Sequence, residues 1–274
     1  MLKKAMAFLN EFVSIYSGKY LPRASAALSY CLTLTFFPLI ICLYSMLGNS
    51  YDKALLIVSF AENLMASETV EFLRKFLEYV ASNNSSAMMV AGLTALVTSA
   101  SAAVRSLQAT IGEMQGRQRY QGVGGFLFSV VFSVVFLAAI YFAIIVMLTG
   151  RDFLDRLNAL LPFIDISHTW DSIRFLLLAG IDFIIILGVY GVSMALDQRY
   201  SSWPGALLAT GAMVGVSAAY SEFISASTKY PLVYGSLASI ILLMLWLYSC
   251  CLVIYCGAAI NIVIRDRKKN RPEG

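Results

Sequence analysis

The chain has 274 residues, of which 59% are hydrophobic and 13% are charged, with a formal net charge of +4. Soluble domains average about 25% charged residues, so this composition excludes an ordinary soluble enzyme. The small, dispersed charge gives no reason to expect a nucleic-acid partner. The apolar residues gather into stretches of the length that crosses a bilayer as a helix, about 20 residues. The sequence therefore indicates an integral membrane protein without a second globular domain.

The predicted fold is all-α, with six transmembrane helices in one bundle and short interfacial amphipathic helices beside them. The six spans are placed at Ala26–Gly48, Ala87–Ile111, Gly125–Thr149, Ile173–Leu196, Pro204–Ala226 and Ser236–Ile264. The bundle occupies residues 25–264, after an N-terminal interfacial segment, 1–24. A basic cytoplasmic tail, 265–274, follows it and is expected to be frayed.

Residues 5–17 show the spacing of an amphipathic helix. One side carries Ala5, Phe8, Leu9, Phe12, Val13 and Tyr16, and the other carries Asn10, Glu11, Ser14 and Ser17. The apolar run is interrupted and no small-residue cleavage site follows it. An interfacial helix is therefore predicted in place of a cleavable signal peptide.

The connection between the first two spans, 51–84, is too long for a turn and has a helical period of its own. Ser67 is suited to begin a helix, because its hydroxyl can accept an N-terminal backbone N–H, and Asn83 is suited to end it. The apolar stripe consists of Val70, Leu73, Phe76, Leu77 and Val80. We expect an amphipathic helix on the outer side, lying on or against the membrane portion.

The distribution of the 20 Lys and Arg residues predicts the orientation of the chain. With the spans as placed, thirteen of the 20 lie in or beside the connections and ends on the side of the termini, and the other seven lie opposite. Positive residues in short connections concentrate on the cytoplasmic side, so both termini are predicted to be cytoplasmic. The five cysteines fall inside spans and are expected to be small packing residues.

Small residues recur every four positions in three of the spans. They are Ala87, Ala91, Ala95, Ser99 and Ala103 in the second, Gly125, Ser129 and Ser133 in the third, and Gly211, Gly215 and Ala219 in the fifth. Small residues at this spacing let helix backbones approach closely in lipid. The pattern predicts a bundle centred on the second, third and fifth spans.

Two charged residues inside the spans need a physical explanation. Asp182 lies about nine residues into the fourth span, where an ionised acid costs about 2.5–3.5 kcal/mol on insertion scales. It is either a carboxylate that binds a proton or a substrate in a cavity, or a partner of Arg105 or of a neighbouring helix. Arg105 lies near the inner end of the second span, and together with Ser99 and Ser101 it is a candidate lining of an inward-facing polar cavity.

Two further residues of the first span are candidates for the same cavity. Pro38 removes a backbone hydrogen bond and kinks the helix. Freed carbonyls line binding cavities in transporters, although a role in packing alone also accounts for the proline. Tyr30 belongs either to an interfacial aromatic belt or to the interior of the bundle.

Several blocks of residues go beyond general membrane character. Near the start stands Pro22-Arg23-Ala24-Ser25-Ala26-Ala27-Leu28-Ser29-Tyr30, continuing to Phe36-Phe37-Pro38-Leu39. Later come Trp203-Pro204-Gly205-Ala206, Tyr230, Tyr234-Gly235-Ser236-Leu237, Leu245-Trp246-Leu247-Tyr248, and Gly257-Ala258 with Asn261. In order and spacing, these blocks resemble the YihY/BrkB family of bacterial inner-membrane proteins over essentially the whole chain. One position departs from the family pattern, because Ala259 stands where the family usually has a glutamate.

The resemblance implies a six-helix bundle in the bacterial inner membrane with both ends in the cytoplasm. It adds Asn261 to the candidate cavity residues. Family members have been linked to serum resistance, envelope integrity and movement of solutes or lipids. Members have also been labelled ribonuclease BN, a label that is interpreted as a historical misassignment. The residues agree with that interpretation, because a metal-dependent nuclease needs clustered His and carboxylate ligands and this chain has one histidine, His168.

The leading functional prediction is a transporter or exporter of a small polar solute or a lipid. The alternative is an envelope-integrity or scaffold protein whose outside segment 51–84 binds a partner or lipid headgroups. The expected partners are the bilayer and an unknown small-molecule or lipid substrate, and a homo-oligomer is compatible with the sequence. No enzyme activity, cofactor, metal or nucleic acid is expected.

Overall fold

The computed structural model describes residues 2–46, 55, 58, 67–83, 85–116, 126–135, 137–138, 170–193, 202–226 and 237–269. These residues form helices and turns, and no strand occurs among them. The helices are α1 Leu2–Gly18, α2 Leu21–Met46, α3 Ser67–Ser82, α4 Ser86–Met114, α5 Phe126–Val135, α6 Trp170–Ser193, α7 Trp203–Ala226 and α8 Leu237–Lys269. The prediction of an all-helical protein is confirmed for this part of the chain.

Four of the described helices are long and apolar enough to cross a membrane. The apolar segments are Leu21–Ser45 of α2, Ser86–Met114 of α4, Leu176–Ser193 of α6 and Ile240–Lys269 of α8. They correspond to the predicted first, second, fourth and sixth spans. α5 is a shorter apolar helix inside the predicted third span, most of which lies outside the described residues. α7 occupies the predicted fifth span without being among the four.

Helix α8 lies at the centre of the described bundle. It packs against α2 and α7, and α2 packs in turn along α4. The fully buried residues of α8 include Cys251, Tyr255, Ala258 and Ala259. The cysteines of the described spans are free and mostly buried, in agreement with a packing role.

The predicted centre on the second, third and fifth spans matches the described residues only in part, because α8 has the most helix partners there, whereas Ser129 and Ser133 of the third span are buried against α4 as predicted. A side chain added at Gly211 or Gly215 of α7 would meet no atom within 4 Å. On α4, Ile41 of α2 packs against the buried Gly92, whereas Ala91 and Ala95 of the predicted stripe are exposed. Spacing alone cannot tell which face of a helix a neighbour covers, because small residues are also compatible with lipid.

Helix α3 confirms the amphipathic pattern predicted for the outer connection. Its buried residues are Val70, Leu73, Leu77 and Val80, which pack against Ile40 and Tyr44 of α2. The ring of Phe76 meets that of Phe37 edge to face, with centroids 5.5 Å apart, directly before Pro38. The apolar stripe of α3 is therefore occupied by the protein itself.

Helix α1 is docked on the bundle. Phe12, Ile15 and Tyr16 pack against the core cluster, whereas Leu9 and Val13 of the same predicted apolar side are exposed. The chain then turns at Tyr20, whose backbone has a positive φ of 48°, and enters α2. This geometry fits an interfacial helix that shows one apolar face to the protein and another to lipid.

The two ends of the described chain meet on one side of the bundle. The guanidinium of Arg267 donates hydrogen bonds of 2.9 and 3.1 Å to the carboxylate of Glu11 and covers the ring of Phe8. The tail that was expected to be frayed from residue 265 therefore continues α8 as far as Lys269. This contact holds α1 against the C-terminal turns of α8.

Replacing Glu11 by glutamine is expected to loosen α1. The hydrogen bonds from Arg267 hold the pKa of Glu11 below its ordinary value. The contact therefore stabilises α1 fully at pH values above the ordinary pKa of glutamate, and this stabilisation is lost as the pH falls and the carboxylate is protonated. The pair is exposed, so we expect amide hydrogen exchange in α1 to rise only about twofold. Hydrogen–deuterium exchange compared at neutral and acidic pH measures this, and the variant should differ from wild type at neutral pH alone.

The matched control is Ser14→Ala, which changes an exposed residue of α1 away from this contact. Equal exchange in wild type and Glu11→Gln at neutral pH, with Ser14→Ala also unchanged, would show that the ion pair does not hold α1.

Candidate functional site

Asn261 of α8 caps the first turn of α7. The backbone N–H of Gly205 donates to Asn261 Oδ1 at 2.7 Å, and Asn261 Nδ2 donates to the carbonyl of Ser202 at 2.9 Å. The first backbone N–H groups of a helix have no partner within the helix, and Pro204 has no N–H to satisfy. Both polar atoms of this buried amide are thus occupied, so Asn261, a predicted cavity residue, has a structural role here.

The same junction brings two glycines of the resembling blocks into contact. A Cβ on Gly205 would overlap the carbonyl oxygen of Gly257 and lie 2.5 Å from Asn261 Cγ. A Cβ on Gly257 would overlap the hydroxyl of Tyr190, which donates to the carbonyl of Ile254 at 2.6 Å. The Trp203–Ala206 and Gly257–Asn261 blocks therefore form one tight helix crossing.

Further side-chain contacts, one of them from Trp246 of the resembling blocks, also join α7 to α8. Trp246 Nε1 donates to Ser217 Oγ at 3.4 Å, and the hydroxyl of Tyr220 donates to the carbonyl of Leu242. Tyr248 is half-buried on α8. Leu237 begins α8, and Tyr234, Gly235 and Ser236 lie outside the described residues. The described part of these motifs thus serves helix packing.

Asp182 does not pair with Arg105. Its half-buried carboxyl interacts with the hydroxyl of Thr210 on α7. Thr210 is buried, and its Oγ1 makes no hydrogen bond of good geometry with the described residues. Asp182 therefore lies beside a neighbouring helix, and an ion pair with Arg105 is absent among the described residues. Its role as a cavity carboxylate and its role as a partner of a neighbouring helix both stay predictions.

Arg105 lies at the contact between α4 and α5. Its Nη1 approaches Ser129 Oγ at 3.5 Å, and its Cζ lies 5.1 Å from the centre of the Phe126 ring. One turn earlier, Ser101 Oγ is 3.2 Å from Ser133 Oγ. All three serines are buried, so α4 and α5 meet through polar groups.

The remaining predicted cavity residues lie elsewhere. The hydroxyl of Ser99 bonds to the carbonyls of Ala95 and Leu96 in its own helix. Tyr30 is 56% exposed, which fits the belt interpretation and not the interior one. Pro38 sits inside α2 beneath α3. The predicted residues therefore form no single site: Arg105 and Ser101 lie together, while Asp182 and Asn261 belong to separate contacts of α7.

Sequence reasoning missed two glutamines beside Arg105. Gln108 shares a face of α4 with Ser101 and Arg105, and Gln115 follows the last residue of the helix. The Nε2 atoms of both glutamines are buried without a hydrogen-bond acceptor among the described residues. The sequence did carry a signal for them: Arg105 follows Ser101 by four residues, Gln108 follows Arg105 by three, and Gln115 follows Gln108 by seven, which is the spacing of one helix face. We call Ser101, Arg105, Gln108 and Gln115, together with Ser129 and Ser133, the polar seam.

Metal ligands do not cluster in the part of the chain that the structure describes. No group of three or more His, Cys, Asp or Glu residues there could hold a metal ion. His168 lies outside the described residues.

Comparison with known proteins agrees with the resemblance of the blocks. The family model described as Virulence factor BrkB matches residues 12–274. Ribonuclease-like protein YfkH of Bacillus subtilis (strain 168) is 27% identical over 281 residues, which cover 96% of this chain and 97% of that protein. No solved structure matches the chain. With its four apolar helices of membrane-crossing length, this chain is an integral membrane protein that belongs to the Virulence factor BrkB family.

Proposed function

We propose that this protein is a membrane transporter or exporter of a small polar solute or a lipid. The observation that carries the proposal is that Arg105 and Asp182 lie on membrane-crossing helices and form no ion pair among the described residues. Charges inside a membrane are costly and mark ligand or ion pathways when the protein does not neutralise them. A cargo, a proton or water then supplies the missing partner.

The proposed transporter crosses the membrane six times. Contacts such as Gly92 with Ile41 and Arg105 with Ser129 support antiparallel α2–α4 and α4–α5 pairs. The contact of Tyr190 with Ile254 supports α6 running parallel to α8. In this arrangement α4 ends on the side of the termini, and α6 also ends there. The chain must therefore cross away from that side through the segment that contains α5. It crosses away again through α7, and α8 brings it back.

We infer that the side of the termini is the cytoplasm of a bacterial cell. The described cations on that side include Lys19, Arg23, Arg265, Arg267, Lys268 and Lys269. Such a concentration beside short connections is typical of the cytoplasmic face. Membership in the family supports the inner membrane as the location.

The alternative function is an envelope-integrity scaffold that binds a partner through segment 51–84. Burial of the apolar stripe of α3 against α2 disfavours it, because that stripe is no longer available. The face left for a partner is polar and includes the exposed pair of Lys75 and Glu71, whose charged atoms are 3.2 Å apart.

We also propose that the protein is not a ribonuclease, and incubation of the purified protein with RNA is expected to leave the RNA intact.

The test is untargeted profiling of solutes and lipids in medium, cytoplasm and membrane leaflets of cells with and without the protein. We expect one cargo to shift with the protein, and Asp182→Asn or Arg105→Ala to reduce that shift about tenfold. A tenfold loss is about 1.4 kcal/mol, which is close to the lower end of the range for one charge-assisted hydrogen bond, about 1.5–3 kcal/mol. Lys75→Ala removes a charge outside the bundle and should leave the shift unchanged.

Folding of each variant is checked by its elution as a single species in detergent. Unchanged cargo movement in folded Asp182→Asn and Arg105→Ala would refute the assignment of these residues. No cargo shift under osmotic and envelope stress would favour the scaffold.

A further inference from the structure

The polar seam has more hydrogen-bond donors than the protein uses. The hydroxyls of Ser129 and Ser133 each donate at 2.8 Å to a carbonyl of their own helix, so Ser129 Oγ acts as an acceptor toward Arg105. A guanidinium carries five N–H donors, and the contact with Ser129 at 3.5 Å is at the limit of a hydrogen bond. The buried amide nitrogens of Gln108 and Gln115 add donors that lack an acceptor in the described structure.

No carboxylate in the described structure balances the charge of the seam. Arg105 forms no ion pair there. Glu113, the acid on α4, is exposed and lies roughly a third of a turn away from the row that holds Arg105 and Gln108. Asp182, the acid among the predicted site residues, lies on α6 beside Thr210 of α7. The seam therefore combines one positive charge with unpaired donors.

The seam is open to a ligand. Arg105 is exposed on the surface of the bundle, and the neighbouring Phe126 and Leu127 are 49% and 63% exposed. Arg105 precedes the end of α4 at Met114 by nine residues, about 14 Å of helix. A ligand that arrives from the lipid or from the side of the termini can thus reach the guanidinium.

We propose that the polar seam binds an oxyanion group, a phosphate or a carboxylate, carried by a free solute or by a lipid headgroup. Arg105 supplies the opposite charge, and Gln108, one helical turn further along α4, donates a hydrogen bond to an anionic oxygen. The biological use of the site rests on the proposed transport function, whereas binding itself can be measured without transport. An arginine that merely extends to the membrane surface would not need the buried amide of Gln108 beside it.

The experiment measures binding to the purified full-length protein in non-ionic detergent. Inorganic phosphate and citrate represent free anions, dioleoylphosphatidic acid represents a lipid headgroup, and sodium chloride of equal ionic strength is the reference. Thermal stabilisation and native mass spectrometry report the affinity. We expect at least one probe to bind, Arg105→Ala to weaken it about tenfold or more, and Gln108→Leu to weaken it about threefold or more. Arg105→Lys should restore part of the affinity, and Lys75→Ala should not change it.

Each outcome decides the inference. Binding of phosphate or citrate alone supports a free solute, and binding of phosphatidic acid alone supports a lipid headgroup. Binding of no probe, or equal binding by wild type and a folded Gln108→Leu variant, overturns the site. Should Arg105→Ala fail to fold, Arg105→Gln replaces it, because glutamine removes the charge and keeps a polar side chain at this position. Anion binding without cargo movement in cells refutes the proposed transport and supports the anion site. Cargo movement without anion binding supports transport and refutes the anion site.

Discussion

Gly205→Ala is expected to disrupt the α7–α8 crossing and to remove most of the folded protein. The added methyl group would overlap the Gly257 carbonyl oxygen and lie 2.5 Å from Asn261 Cγ. The backbone of Gly257 is held by its own helix, so the helices must separate. Overpacking of this kind costs about 1–3 kcal/mol, and occasionally more. Since separation also breaks the bond from Gly205 to Asn261, we expect about 3 kcal/mol or more.

The measurement is the fraction of detergent-purified protein that elutes as a single folded species after heating. Gly211→Ala is the matched control, because it adds the same methyl group on the same helix where no atom lies within 4 Å. In helix α7 that substitution also favours the helix by up to about 1 kcal/mol. Equal stability of Gly205→Ala and Gly211→Ala would contradict the tight crossing.

Asn261→Ala is expected to destabilise the same junction by removing its cap. The buried N–H of Gly205 would lose its acceptor, while the carbonyl of Ser202 would keep the bond that it accepts from the N–H of Ala206. One unsatisfied buried donor, one lost hydrogen bond and a small cavity together give about 2–4 kcal/mol. Thermal unfolding of the purified variant in detergent, followed by intrinsic fluorescence, should show a lower midpoint.

Two variants test whether this loss comes from the cap. Asn261→Asp keeps an acceptor for Gly205 beside the positive end of the α7 dipole and should retain part of the stability. Ser249→Ala changes a polar residue of α8 whose hydroxyl bonds to the carbonyl of Leu245 in the same helix, and it should be close to neutral. A midpoint for Asn261→Ala that equals that of Ser249→Ala would show that the cap does not stabilise the fold.

Apolar length and helical period were sufficient to predict several elements. The stripe of α3 was predicted at Val70, Leu73, Leu77 and Val80, and these residues are buried. The second span was predicted from Ala87, and α4 begins beside it at Ser86, after Ser85, whose hydroxyl accepts the N–H of Met88 at 3.2 Å. Both signals are local, because consecutive residues alone set the amphipathic face and the cap of a helix.

The candidate site was predicted only in part. Arg105 and Asp182 stood out because charge violates the apolar pattern of a span, and the chain places them at different helix contacts. Gln108 and Gln115 went unnoticed because an amide near the end of a span is not unusual in itself. Their importance comes from burial without an acceptor, which depends on what α4 packs against.

Composition and the order of apolar segments therefore predicted a helical membrane protein with the amphipathic helices α1 and α3, and the motif blocks carried its resemblance to the family. Helix partners were decided by three-dimensional packing: α8 at the centre, Gly205 against Gly257, and Asn261 on the first turn of α7. The physical reason is that hydrophobicity acts along the chain and is satisfied by lipid or by protein alike. Which face meets another helix depends on shape and hydrogen bonding between residues far apart in sequence.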